Sequence, residues 1–111
     1  MSLDETELPE PMFEVVSPLN ITIHTSTWHW FQIRLKHPDH KFIIDDVVNC
    51  ISKPDIIKRS RKDDNVFLSY RNHNRYILVA VCKKINGLGF LMTVYLTDKI
   101  KEGELLWQKL K

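Results

Sequence analysis

Asn86-Gly87 constrains this sequence more than any other feature. A two-residue hairpin turn of type I′ needs positive φ at both central positions, and Asn-Gly supplies it. A turn closed there predicts Ile85 opposite Leu88 and, counting back, Val81 opposite Met92, Val79 opposite Val94 and Ile77 opposite Leu96. Upstream, a four-residue loop at 72–75 predicts Arg71 opposite Tyr76, Tyr70 opposite Ile77, Leu68 opposite Val79 and Val66 opposite Val81. Side chains alternate between the faces of a strand. One face of this three-stranded meander therefore carries Val66, Leu68, Tyr70, Ile77, Val79, Val81, Met92, Val94 and Leu96, which reads as core. The other carries Phe67, Ser69, Arg71, Tyr76, Leu78, Ala80, Thr93, Tyr95 and Thr97, and reads as the face that does chemistry.

The preceding segments supply a cover for the apolar face. Leu19 to His24 alternates as a short strand, and Thr25-Ser26-Thr27 offers an N-cap for a helix over 28–36. That helix places Trp28, Phe31, Gln32 and Leu35 on one stripe and stops at His37-Pro38, since the residue before proline avoids the α region. A second helix is predicted from about His40 to Ser52, with Ile43, Ile44, Val47, Val48 and Ile51 on the stripe that lies on the sheet. Ile56-Ile57 adds a short strand, and residues 98–111, with Ile100, Leu105, Leu106 and Trp107, are expected to return to the core as a turn and short helix. The expected fold class is α+β, with N-terminal helices packed on one face of a four-stranded antiparallel sheet. A chain of 111 residues makes one domain. It is assigned to 19–111, with 1–18 as an acidic, partly mobile arm punctuated by Pro9, Pro11 and Pro18.

Charge is divided along the chain. The only charged residues before Arg34 are Asp4, Glu5, Glu7, Glu10 and Glu14, and from Arg34 onward 16 basic residues face 9 acidic ones. A basic body with a cluster at Lys58, Arg59, Arg61 and Lys62, joined by Lys99 and Lys101, suits a polyanion. Neither Cys50 nor Cys82 sits in a metal-ligand or redox spacing, and the five histidines form no zinc motif, so no metal or other cofactor is expected. No secretory leader or apolar span is read, and a cytoplasmic location without membrane contact is expected.

Thr93, Tyr95 and Thr97 alternate along one strand, with Tyr76 and Arg71 expected beside them. RNA cleavage by the 2′-hydroxyl needs a base, an acid and donors for charge on the phosphorane, and no metal. Arg71, Thr93, Tyr95 and Thr97 meet the electrostatic need, and His37 the proton transfer, because imidazole titrates near neutrality. Lys58, Arg59, Arg61, Lys62, Tyr76, Lys99 and Lys101 are the expected RNA-binding residues.

A wider pattern links these groups. Ile33-x-x-x-His37-Pro38-Asp39, Pro54-Asp55-x-Ile57, Tyr76 leading an apolar strand, Gly89 to Tyr95 and Thr97-Asp98-Lys99 resemble phage- and mobile-element-associated nuclease domains. These belong to the barnase–EndoU–colicin–RelE (BECR) type, and the resemblance spans about residues 28–107. It implies a barnase/RelE-like α+β fold, a small metal-independent ribonuclease of toxin or mobile-element type, and His37, Thr93 and Tyr95 as active residues. It also implies RNA as partner, with an antitoxin or inhibitor protein as a further one. Gln32 stands where many relatives carry histidine, and Asp39 where glutamate is usual. If that histidine is the base, the alternative is a non-catalytic RNA- or protein-binding module on the same fold.

Overall fold

The computed structural model describes residues 11–110. The acidic residues Asp4, Glu5, Glu7 and Glu10 of the expected arm lie outside them. The described chain runs β1 (Pro11–Val16), β2 (Thr22–Ser26), α1 (Thr27–Lys36), α2 (Ile44–Ser52), β3 (Ile56–Arg59), β4 (Val66–His73), β5 (Tyr76–Ile85), β6 (Leu88–Thr97) and β7 (Leu105–Gln108). The strands form one seven-stranded sheet in the order β1-β2-β6-β5-β4-β3-β7. It is mixed, since β2 runs parallel to β6 while the other neighbours are antiparallel.

This corrects the four-stranded antiparallel sheet with helices on one face. Three strands escape that count for separate reasons. β1 lies in the proline-punctuated segment before residue 19 and pairs with β2. β2 joins the sheet through a short parallel pairing, Ile23 with Gly89 and His24 with Phe90. β7 forms where a short helix was expected, and pairs with β3.

The Asn86-Gly87 turn forms with both residues at positive φ (51° and 83°), and Ile85 faces Leu88 as expected. Beyond Cys82–Leu91 the register slips by one residue, so that Val81 faces Thr93, Val79 faces Tyr95 and Ile77 faces Thr97. Met92 is the extra residue of a β-bulge, and every later β6 side chain changes face. Between β4 and β5 the turn is shorter than expected. Asn74-Arg75 forms it, with Asn74 at φ 60°, and His73 faces Tyr76 while Tyr70 faces Val79. That slip is two residues, so those two strands keep their relative faces.

The two faces are consequently recomposed. Phe67, Leu78, Ala80, Cys82, Leu91 and Val94 form one cluster with Val47, Cys50 and Ile51 of α2 and Ile33 of α1. Leu68, Tyr70 and Val79, with Ile56, Val66, Ile77, Val81 and Tyr95, form a second cluster on the opposite face. The face expected to be core is thus the one turned away from α2, and Phe67, Leu78 and Ala80 lie beneath the helix instead. Segment 98–104 crosses that far face on its way from β6 to β7, and the Lys101 N–H donates to the Tyr70 hydroxyl (3.2 Å). Gly103 permits the crossing, because a Cβ there would collide with the Arg59 carbonyl oxygen.

α1 begins as its sequence predicts, the Ser26 hydroxyl accepting the His29 N–H (3.1 Å). Its face does not. Ile33 is buried, whereas Trp28, Phe31 and Leu35 are 65%, 67% and 68% exposed. α2 begins at Ile44 rather than His40, with the Asp46 carboxylate accepting the Ile43 N–H (2.8 Å). Both cysteines are free and buried, and burial pushes the Cys50 thiol up to about 12 and Cys82 higher still. A thiol reagent such as Ellman's is expected to titrate neither cysteine in the native protein and both after denaturation.

Candidate active site

Pro38 ends α1 and leaves His37 as its C-terminal cap, with non-helical backbone (φ −135°, ψ 65°). The chain then turns tightly, the His40 N–H donating to the His37 carbonyl (3.1 Å). The turn brings His40 to β6, where β2 no longer pairs and the strand has spare backbone donors. Nδ1 of His40 accepts the Leu96 N–H at 3.0 Å. A ring nitrogen that accepts carries no proton, so the proton of neutral His40 sits on Nε2.

This anchor sets the position of His37. Its ring stacks on His40 (centroids 4.7 Å, planes 13° apart) and lies 5.8 Å from the Tyr95 ring. Burial lowers the His37 pKa below its ordinary 6.5, and neighbouring His40 and Lys36 lower it further. The ring is therefore neutral at pH 7 and able to accept a proton. An activity that uses it as base is expected to fall only on an acid limb lying below pH 6.5, measured as kcat/KM against pH. The linkage has the same sign. With the folded pKa below the unfolded one, this contribution to stability is present above pH 6.5 and is lost as pH falls through the folded value.

Beyond the bulge, Thr93 and Tyr95 point to the face opposite α2, and they line a groove of about 480 Å³ with Leu68 and Val81 at its floor. Lys101 Nζ stands 6.0 Å over the Tyr95 ring, and Arg61, Lys62 and Glu102 line the rim. The Thr93 hydroxyl is buried with no hydrogen-bond partner among the described residues. One phenol, one hydroxyl and one ammonium thus border a single groove, and the His37 imidazole stands beside its Tyr95 wall.

The other expected site residues divide. Thr97 shares the face of Thr93 and Tyr95, where its hydroxyl accepts the Lys99 N–H (3.3 Å). Lys58 pairs across from Leu68, on the groove side. Arg71 pairs across from Leu78, on the α2 side, and its guanidinium donates to the Lys53 carbonyl at the end of α2. It is a cap for that helix and is not gathered with Tyr95. Tyr76 pairs with His73 at the β4–β5 turn, where Ile77 rather than Tyr76 faces Thr97. Arg59 and Arg61 are engaged by Glu104 (2.9 Å) and Glu102 (2.7 Å). Among the described residues Lys58, Lys62, Lys99 and Lys101 form no ion pair. Nor do those residues hold a group of three or more His, Cys, Asp or Glu placed for a metal ion.

The residue sequence reasoning missed is His40. The signal was available in the spacing His37-Pro38-Asp39-His40, a turn that returns the second ring to the first. Comparisons of the chain with family models, curated proteins and solved structures return no match. No helix among the described residues is long and apolar enough to cross a membrane.

Proposed function

We propose that the groove cleaves RNA by attack of the 2′-hydroxyl on the adjacent phosphate. The observation that carries this reading is the approach of His37 to within 5.8 Å of Tyr95, ring to ring, beside the groove that Tyr95 lines with Thr93 and Lys101. At that separation one phosphodiester reaches both side chains at hydrogen-bond distance. His37, neutral at pH 7, takes the proton of the 2′-hydroxyl. The 2′-oxygen bonds to phosphorus, the 5′-oxygen leaves with a proton from the Tyr95 hydroxyl, and a 2′,3′-cyclic phosphate remains. The proton on His37 returns to Tyr95 through water. Lys101 and the Thr93 hydroxyl face the charge that grows on the non-bridging oxygens, where preorganised donors lower a barrier most.

The cations that hold the strand are those without ion-pair partners among the described residues, Lys58, Lys62, Lys99 and Lys101, while Arg59 and Arg61 serve chiefly to fasten segment 98–104 to the β3 side of the sheet. Two buried free thiols suit a reducing compartment such as the cytoplasm. A protein inhibitor of toxin type would act by filling the same groove. The reading is tested by incubating the protein with a pool of end-labelled RNAs in EDTA. Discrete products are expected. Retention of RNA without any product identifies a binding module instead.

A further inference from the structure

A second concavity opens where β2 and β6 part. The two strands run parallel and pair through Ile23 with Gly89 and His24 with Phe90, after which β2 passes into α1 and β6 continues through its bulge. The fork left between them is a cavity of about 370 Å³, lined by His24, Thr25, His29, Phe90 and Met92 among others. That size falls at the lower end of small-molecule sites, which span roughly 300–1,000 Å³. Its walls are mostly apolar and, among the described residues, include no lysine or arginine. It is therefore poorly suited to a phosphate.

Its imidazole is unsatisfied on one side, since Nε2 of His24 is buried without a hydrogen-bond partner among the described residues. On the other side of that ring, Glu14 lies opposite in β1 and places Oε2 at 3.4 Å from Nδ1. A carboxylate there keeps the proton on Nδ1 and leaves Nε2 of the neutral ring as an acceptor. Burying such a group unpaired is costly, so a cavity that keeps it invites a ligand that pairs it. Phe90 meets the His24 ring at 5.9 Å and adds an aromatic surface.

We infer that this fork is a nucleobase subsite, in which a planar heterocycle packs on Phe90 and Met92 and presents an N–H group to Nε2 of His24. The inference rests on the RNA reading above and names what would select the cut. Single-stranded RNA is read in this way, by splayed bases on aromatic side chains with polar groups at their edges. His24 and Phe90 lie on the same face of the sheet as Thr93 and Tyr95. Phe90 and Tyr95 are separated by roughly 15 Å of strand, allowing for the bulge. The base seated here therefore belongs to a nucleotide flanking the scissile phosphate, not to the one attacked.

Nucleosides are the probe, because they lack the phosphate that the other groove would hold. Titrating adenosine, guanosine, cytidine and uridine through the millimolar range, while following the histidine ring resonances, is expected to shift His24 and His29 saturably with at least one of them. His73, held by the Lys41 carbonyl at the far turn, is expected to stay unshifted. His24→Ala should weaken that binding about tenfold or more. Glu14→Gln, at a half-exposed side chain that leaves the core untouched, should weaken it several-fold, so the test survives if His24→Ala does not fold. His24 signals that respond to none of the nucleosides, or equally to inorganic phosphate, overturn the subsite. Failure of the two readings is separable. Nucleoside binding by a protein that leaves RNA intact removes the cleavage and keeps the subsite. Cleavage whose sequence preference is the same in wild type, His24→Ala and Glu14→Gln removes the subsite and keeps the cleavage.

Discussion

Replacing His37 with alanine is expected to lower kcat/KM for RNA by about 10²- to 10⁴-fold, the usual contribution of a positioned acid or base. His37 is half-buried beyond the last turn of α1, and the anchor to β6 is made by His40, so the fold keeps its shape without the His37 ring. RNA affinity is expected to stay within a few-fold of wild type, since the proposed binding cations are Lys58, Lys62, Lys99 and Lys101. Tyr95→Phe keeps the ring beside His37 and removes only the hydroxyl, and an additional loss of about 10²-fold in kcat is expected from it alone. Single-turnover cleavage beside equilibrium binding separates the two effects. Equal losses of affinity and rate in both variants would mean that the pair binds RNA and takes no part in proton transfer.

Leu78→Ala is expected to destabilise the protein by about 2–5 kcal/mol, and Met92→Ala by less than about 1 kcal/mol. The two substitutions weigh the bulge. Pairing counted from Asn86-Gly87 without a bulge places Met92 in the core and Leu78 on the open face. The structure buries Leu78 beneath α2 at 1% exposure and leaves Met92 at 41%. Cys50 lies against the Leu78 carbonyl, with Sγ to oxygen at 3.4 Å, so the site has little room to collapse around a lost side chain. Urea denaturation of both variants with unchanged m-values gives the comparison. The reverse order of costs would mean that the strands pair without the bulge and that Thr93 and Tyr95 share the face of Leu78.

Much of this was legible from residues alone. The Asn-Gly turn, the Ser26 cap, the stop at Pro38 and the meander of three long strands each rest on local backbone chemistry, and each is found. The bulge was not legible, because Leu91-Met92-Thr93 carries no glycine or proline to mark where a ladder skips. The apolar content of β4 and β5 misled for a related reason. Both faces are apolar, since one meets α2 and the other lies under segment 98–104, and alternation cannot rank two buried faces. The α1 stripe failed because Trp28, Phe31 and Leu35 fit the helical period, yet Ile33 is the residue that turns inward. In the site, the fold brings the expected residues His37 and Tyr95 together, ring to ring at 5.8 Å. Arg71 was lost to the opposite face because the bulge turned Tyr95 away from it and toward the groove.

Substrate chemistry tests the central claim most directly. An RNA oligonucleotide cut by the wild-type protein in EDTA is resynthesised with a single 2′-deoxyribose on the 5′ side of the scissile phosphate. The expected result is that the all-ribose strand yields a 2′,3′-cyclic phosphate end while the deoxy-substituted strand stays whole at that position. Scission of the substituted strand at the same rate, or a product lacking the cyclic end from its earliest appearance, would contradict 2′-hydroxyl attack assisted by His37 and Tyr95.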